Sequence, residues 1–515
     1  MDESRKTLSL PATGKQKLGL KKGAQKWPPN RVPKKGGRPD SRRPDSRRPD
    51  SRRPRPEPKA TMPAGLEARL VAAQLLKAVF LDGETLDQAL DKIGRLASLP
   101  VVDRGFVRQL VRVVLLHSAD CRHMLRPHLQ RTPKPYAEII LMSGVAQLHY
   151  MRVADHAVVN STVEVMKRAG FESLAGLTNA VMRRVMETPP ETRLAANGPV
   201  RAADPLNNLS DFLKASWTAL YGEERVRHWL KMAETSPFLD ISFKSDKAES
   251  QAEIAQPPFE GRVILGQSWR CQFSGDIRQM PGFKSGDWWV QDAGAALPAQ
   301  LLEQITAGLK DKKILDLCAA PGGKTAQLAS LGAAVTALEK DKKRFERLTD
   351  NMKRLDLSAD LVCADALDYE PEGLFDAILL DAPCSATGTF RHRPDVLVRK
   401  NDSYLAHLPE LQEKLIEKAL SWLKPDGHLI YVTCSLQPEE GEAQIESLIS
   451  GPQPKAKLQP ITAEMLGPFS GAASDKGWVR LLPDSLVLET STEDRLGGQR
   501  GNDGFFIAWL QPKTA

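Results

Sequence analysis

Residues 314–325 read ILDLCAAPGGKT, and the rest of the chain is arranged around them. The apolar run Ile314, Leu315 and Leu317 gives way to small residues and then to a helix-competent segment from Thr325 to Ala329. This order predicts a strand, a glycine-rich loop and a helix N-terminus. With no Cβ at Gly322 and Gly323, and unpaired N–H groups in the first helical turn, a polar or anionic ligand can lie directly on the backbone. Two common nucleotide motifs fail. Cys318 stands at the first glycine of the phosphate-binding loop, ahead of Gly323, Lys324 and Thr325, and G-x-G-x-x-G is absent. About twenty residues on, AVTALE ends in Glu339, where an acid at the tip of a second strand binds ribose hydroxyls. A nucleoside cofactor is implied; a triphosphate is not.

A chain of 515 residues exceeds what one core of ~250–300 residues holds, so two or three domains are expected. It has no apolar run near the ~20 residues of a membrane helix and no signal-peptide core, which predicts a soluble cytoplasmic protein without a membrane partner. The six cysteines, Cys121, Cys271, Cys318, Cys363, Cys384 and Cys434, are too sparse for a disulfide framework. No C-x-x-C pair points to zinc, so reduced thiols and no metal are expected. The net charge of +8 is uneven: residues 1–63 hold 19 Lys and Arg against 6 Asp and Glu, which leaves 53 basic and 58 acidic groups elsewhere. Within that basic tail RPDSR occurs three times from Arg38. Such composition cannot bury enough surface to fold, so residues 1–63 read as a disordered tail, either a salt-sensitive clamp on RNA phosphates or an expendable leader.

From Leu66 the periodicity turns helical. Leu66, Leu70, Ala73, Leu76 and Phe80 share a face, as do Leu141, Val145 and Leu148, then Val159, Val163 and Met166. Residues 64–190 read as an all-α bundle, with His149 and His156 in packing or capping roles. Residues 200–290 read as a small α+β module: helical around Trp217 and Trp229, then strands at Leu239, Ile241 and Phe243 and at 263–265. Trp288 and Trp289 are better read as core than as a base-stacking platform.

Residues 291–515 alternate strand and helix signals, which predicts a doubly wound, mostly parallel α/β sheet. Its strands end in Cys318, Glu339, Asp365, Asp381 and Cys434, which would then gather at one sheet edge. Cys384 in LLDAPCSATGT and Cys434 in YVTCSLQPEE follow successive strands; if those strands are neighbours, both thiols face one cleft. Neither lies in an apolar run, unlike the expected inert, buried Cys121, Cys271 and Cys363.

The blocks CAAPGGKT at 318–325, DAPCSATG at 381–388, TCS at 433–435 with Pro438, Glu439 and Glu440, and DGFF at 503–506 resemble the signatures of the Sun/Fmu-type RNA cytosine-5 methyltransferases. DHAVVNSTVEVMKRAG and LTNAVMRRV in the helical segment resemble a NusB-like RNA-binding domain. The resemblance implies a Rossmann-like methyltransferase domain, S-adenosylmethionine as cofactor and RNA, most of all small-subunit rRNA, as partner; DNA is not expected and a monomer is. It implies Cys434 as the nucleophile at carbon 6 of cytosine, Cys384 assisting loss of the carbon 5 proton as base or through water, and Asp381 at the ring edge and cofactor. Cys318, Ala319, Ala320, Pro321, Gly322, Gly323 and Lys324 would cradle methionine and ribose, with Glu339 on the ribose hydroxyls and Asp365 at the adenine. Glu339 replaces the family's usual Asp, and RHRPD at 391–395 varies an Arg-rich pattern expected to touch RNA. Two other classes stay open: a noncatalytic RNA-binding assembly factor, and a triphosphatase suggested by GKT. The same chemistry on tRNA is a further alternative.

Overall fold

Helices Leu66–Phe80, Val101–Leu116, Pro135–His149, Asp155–Arg168 and Ala175–Glu187 bury one cluster of Leu, Val, Ile, Ala and Met. Leu66, Ala73, Leu76, Leu141, Val145, Val159 and Met166 lie in that cluster, as their 3.6-residue spacing demands. The computed structural model describes residues 65–187, 204–244, 247–273, 275–399, 405–450, 452–487 and 501–513. The reading of residues 1–63 as a disordered tail therefore lies outside the described residues. The short helix Leu86–Lys92 differs from its neighbours: a capping box between Thr85 and Gln88 opens it, and it buries only Ala89.

Helices Asp211–Tyr221 and Glu223–Glu234 follow and pack Leu213, Trp217, Val226 and Trp229 against Phe390, Leu397 and Leu436. Strands β1 (Leu239–Phe243), β2 (Arg262–Leu265), β3 (Ser268–Cys271) and β4 (Trp288–Val290) form an antiparallel sheet in the order β2-β3-β1-β4. Periodicity had marked β1 and β2 alone. The pattern of β3 is broken by Arg270, a charge that is nonetheless buried because both its Nε and Nη2 donate to Asp240 at 2.7 Å. Trp288 and Trp289 are core residues, each with its indole N–H satisfied, by Pro281 O and Gln291 Oε1.

The larger sheet contains β5 (Lys313–Leu317), β6 (Ala334–Leu338), β7 (Asp360–Val362), β8 (Phe375–Asp381), β9 (Leu423–Thr433), β10 (Ala456–Gln459), β11 (Val479–Leu481) and β12 (Phe505–Pro512). Its order is β10-β12-β9-β8-β5-β6-β7, with β11 on β12. The pairs from β9 to β7 are parallel; β12 runs antiparallel beside β9. The parallel strands read as continuous apolar runs because both faces are covered. Ile314, Ala377, Leu379, Ile430 and Val432 face helices Ala293–Ile305, Gly323–Ser330 and Lys342–Leu355, whereas Leu315, Leu317, Ile378, Leu380 and Tyr431 face helices Leu408–Ser421 and Glu442–Ile449. Strand order reverses between β5 and β8, the place where an α/β sheet opens a crevice at its carboxyl edge. No helix among the described residues is long and apolar enough to cross a membrane.

Candidate active site

Two parallel neighbours deliver the site. Asp381, the last residue of β8, lies opposite Val432 of β9, so the loops that follow leave the sheet side by side. Backbone bonds then stitch them together: Gly388 N donates to Cys434 O, and Gly504 N donates to Gly388 O, both at 2.9 Å. Gly388 is required by that approach, since a Cβ there would sit 2.1 Å from Gly504 O. Beneath the loops the fully buried Glu440 carboxylate accepts from Ser385 N at 2.8 Å, from Ser385 Oγ and from Gln412 Nε2 at 3.1 Å. Ser385, Thr387 and Ser435 complete a hydroxyl network around it. The two sulfurs that result, Cys384 Sγ and Cys434 Sγ, lie 3.4 Å apart.

Both thiols line a cleft of about 1460 Å³ together with Cys318, Ala319, Ala320, Pro321, Gly323, Lys324 and Asp381. Gly322 adopts φ 101° at the helix N-cap and packs against Leu348, with no room for a Cβ. The hydrogen bond to Cys434 and then burial push the Cys384 thiol well above its ordinary value, so Cys384 keeps its proton beside the Cys434 sulfur. Lys324 Nζ donates to Asp381 Oδ2 at 2.7 Å. Burial alone would lower the lysine; Asp381 and then Asp316 outweigh it, and Lys324 is held above its usual range as an ammonium. Cys318, in the left-handed region at φ 61°, is pushed up to about 12 by burial and by Glu339, and remains a thiol.

Glu339 and Asp365 stand behind the others and are not lining residues of the cleft. Glu339 accepts from Asp341 N at 2.9 Å and from Ala320 N at 3.3 Å, with Arg344 3.4 Å away. It thereby clamps the glycine-rich loop from below. Asp365 pairs with Lys340, which holds its carboxyl below the usual range. Cys363 is exposed, unlike the buried Cys121 and Cys271, which corrects the expectation that all three are packed small hydrophobes. The short strand β7 stops before Cys363 and leaves it in the loop.

Sequence reading missed three acids. Asp316, two residues before Cys318, is fully buried and pushed up to about 7, by desolvation first; Thr325 Oγ1 donates to it at 2.6 Å. An acid inside an apolar strand run was its signal. Glu440 was quoted only as part of a motif. Asp292 caps helix Ala293–Ile305, accepts from Asp503 N at 3.1 Å, and is pushed up to about 6 by burial and by Asp503. In the RHRPD block Arg391 is buried, whereas His392, with Nδ1 2.9 Å from Asp503 Oδ1, and Arg393 are exposed.

Against this geometry, residues 304–511 match the family model described as 16S rRNA methyltransferase RsmB/F, and residues 66–187 match the NusB family. The ribosomal RNA small subunit methyltransferase B of Xanthomonas campestris pv. campestris is 34% identical over 469 residues, covering 87% of this chain and 98% of its own. The chain belongs to the RsmB/F family. It is an RNA methyltransferase, with the NusB-like helical bundle in front of the Rossmann-like sheet, and the noncatalytic and triphosphatase readings fall. A protein of the same name from Sodalis glossinidius is 32% identical over 410 residues, covering 76% of this chain and 90% of its own. The solved structure of PH0851 shares the fold at a TM-score of 0.66 and 19% identity, over 86% of this chain and 98% of that one.

Proposed function

We propose that this RsmB/F enzyme methylates carbon 5 of a cytidine in small-subunit rRNA, with S-adenosylmethionine as donor and a covalent Cys434–cytosine adduct as intermediate. The observation that carries this reading is the 3.4 Å approach of Cys384 and Cys434 beside the glycine-rich loop. S-adenosylmethionine supplies an electrophilic methyl group when bound. The residues present suit it: Cys318 to Pro321, Gly323 and Lys324 border the cleft, and Gly322 turns the loop between them where a Cβ would strike Leu348. Glu339 would set the ribose side through the glycine-rich loop that it holds, and Asp365, paired with Lys340, the adenine side.

Carbon 5 of cytosine is a poor nucleophile until something adds at carbon 6. The Cys434 thiolate forms the S–C6 bond, which drives an electron pair toward carbon 5 and charge toward ring nitrogen 3. The Lys324–Asp381 pair meets that nitrogen with a proton. Once Cys434 is a thioether, its hydrogen bond and charge no longer raise Cys384, and burial and Glu440 are what still hold the proton there. Carbon 5 bonds the methyl group with the electron pair driven to it, and nitrogen 3 returns its proton to the Lys324–Asp381 pair. Cys384 passes its own proton to cleft water and then takes the carbon 5 proton, directly or through water, so that the electron pair of that C–H bond re-forms the C5–C6 double bond as the S–C6 bond breaks and Cys434 leaves as thiolate. We place this chemistry in the cytoplasm and in a monomer.

Denaturing gels and bisulfite mapping of rRNA test the roles. Cys384→Ala should accumulate a thiol-dependent protein–RNA adduct. Cys434→Ala should bind S-adenosylmethionine and give neither adduct nor 5-methylcytidine. Full activity in Cys434→Ala would remove the nucleophile assignment, and modification of tRNA alone would remove the substrate.

A further inference from the structure

Two stretches far apart in the sequence supply the two walls at the mouth of the cleft. On one wall stand Lys343 and Arg347, a turn apart on helix Lys342–Leu355, and Arg393 beyond β8. On the other stands helix Leu86–Lys92 with the turn before it. Asp87 and Asp91 share one face of that short helix. Asp87 Oδ2 lies 3.1 Å from Arg393 Nη2, and Asp91 pairs with Arg347 Nη2.

These contacts hold the helix lightly. It fully buries only Ala89, Leu86 and Leu90 pack partly buried against the bundle core, and it is further tied by Leu86 N to Asp395 Oδ2 at 3.2 Å and, through the turn before it, by Arg399 Nη2 to Gly83 O at 2.7 Å. A seven-residue helix is marginal by itself. Both ion pairs are close to half exposed, at 53% and 48% for Arg393 and Asp87 and 47% and 39% for Arg347 and Asp91; such pairs contribute about 0–1 kcal/mol and weaken with salt. Carboxylates four residues apart lie ~6 Å apart along a helix axis, close to the spacing of neighbouring phosphates on one nucleic-acid strand. The arginines thus already hold two anions in the arrangement that a strand entering the cleft would offer.

We propose that Arg347 and Arg393, with Lys343 beside them, seat successive phosphates of the substrate RNA strand, and that Asp87 and Asp91 occupy those seats as an internal mimic until RNA displaces them. The inference rests on RNA as the substrate, not on which base atom is methylated. RNA entry is then an exchange of anions, and the NusB-like wall swings away as the strand arrives.

Fluorescence anisotropy with an unmethylated small-subunit rRNA transcript, without methyl donor, measures the exchange apart from chemistry. Asp87→Asn/Asp91→Asn should bind this RNA roughly threefold to tenfold tighter, the factor for freeing two exposed pairs, and should lower KM with kcat unchanged. Arg347→Gln/Arg393→Gln should bind more weakly and flatten the log–log salt dependence by about 0.7 per arginine. Thermal melts identify any variant that has lost its fold, and Asp87→Asn and Arg393→Gln singly replace a double variant that has. Unchanged or weaker binding by a folded Asp→Asn variant would overturn the mimic, and an unchanged salt slope in the arginine variant would overturn the phosphate seats. Failure of the wild-type chain to bind the transcript would instead overturn the substrate itself.

Discussion

Cys384 and Cys434 have the same side chain and touch, yet their surroundings separate them. The proton that Cys384 retains makes it a poor nucleophile, because the thiolate and not the thiol reacts. Iodoacetamide at pH 8 should therefore label Cys434 and the exposed Cys363 while sparing Cys384, as read by peptide mass spectrometry. Labelling of Cys384 ahead of Cys434 would reverse the assignment of roles. Asp316 offers a second test at this scale. Its carboxyl, raised to about 7 in the fold from an ordinary value of 3.8, takes up its proton on folding between those values. The folded chain then binds more protons than the unfolded one, so this group costs a few kcal/mol of stability as pH rises from about 4 to 7, at about 1.4 kcal/mol per unit. Asp316→Asn removes the ionisation and should melt with a smaller fall in Tm between pH 5 and pH 8 than the parent chain.

Strands β5, β6, β8 and β9 were legible because a parallel strand buried on both faces needs an unbroken apolar run, and each of these runs stops at a polar tip; β7, the edge strand with no buried residue, was marked by its short Leu361–Val362 run and the polar loop after it. β12 was not: Phe505–Pro512 follows a long connection and slots antiparallel beside β9, a pairing that no local pattern encodes. The junction of the three loops depends on that distant strand, since Gly504 before β12 closes onto Gly388 after β8. Gly388→Ala must push Gly504 away and should cost about 1–3 kcal/mol as an overpacked contact. Methyl transfer should fall far more than cofactor binding, because the sulfurs separate while the glycine-rich loop stays; calorimetry with S-adenosylmethionine beside a turnover assay distinguishes the two.

Across the whole molecule the helices at 211–234 tie the parts together. Trp217 Nε1 donates to Gln437 Oε1 at 3.0 Å, and Tyr221 Oη donates to Leu436 O, so the Cys434 loop is braced from outside the sheet. Leu116 of the bundle packs into the same apolar cluster as Trp217, Trp229 and Phe390. Trp217→Ala should cost about 3–5 kcal/mol through the cavity it leaves, seen as a lower denaturant midpoint, and should lower kcat because the Gln437 side chain keeps only its bond to Ser216 Oγ. An unchanged kcat in a folded variant would show that the brace does not reach the thiol.

The amino-acid order by itself determined the helical bundle, the alternating β and α segments, and the gathering of Cys318, Glu339, Asp365, Asp381 and Cys434 at strand ends. Periodicity and strand termination are local properties, and each residue carries its share of them. Tertiary structure alone decided which of those tips share the cleft and which sit behind it. It also decided that Asp316 and Glu440 are buried supports, that Arg391 is internal, and that Asp87 and Asp91 meet arginines some 250–300 positions away. Those outcomes depend on which surfaces lose water together, and desolvation is a property of the packed assembly of segments that no single segment contains.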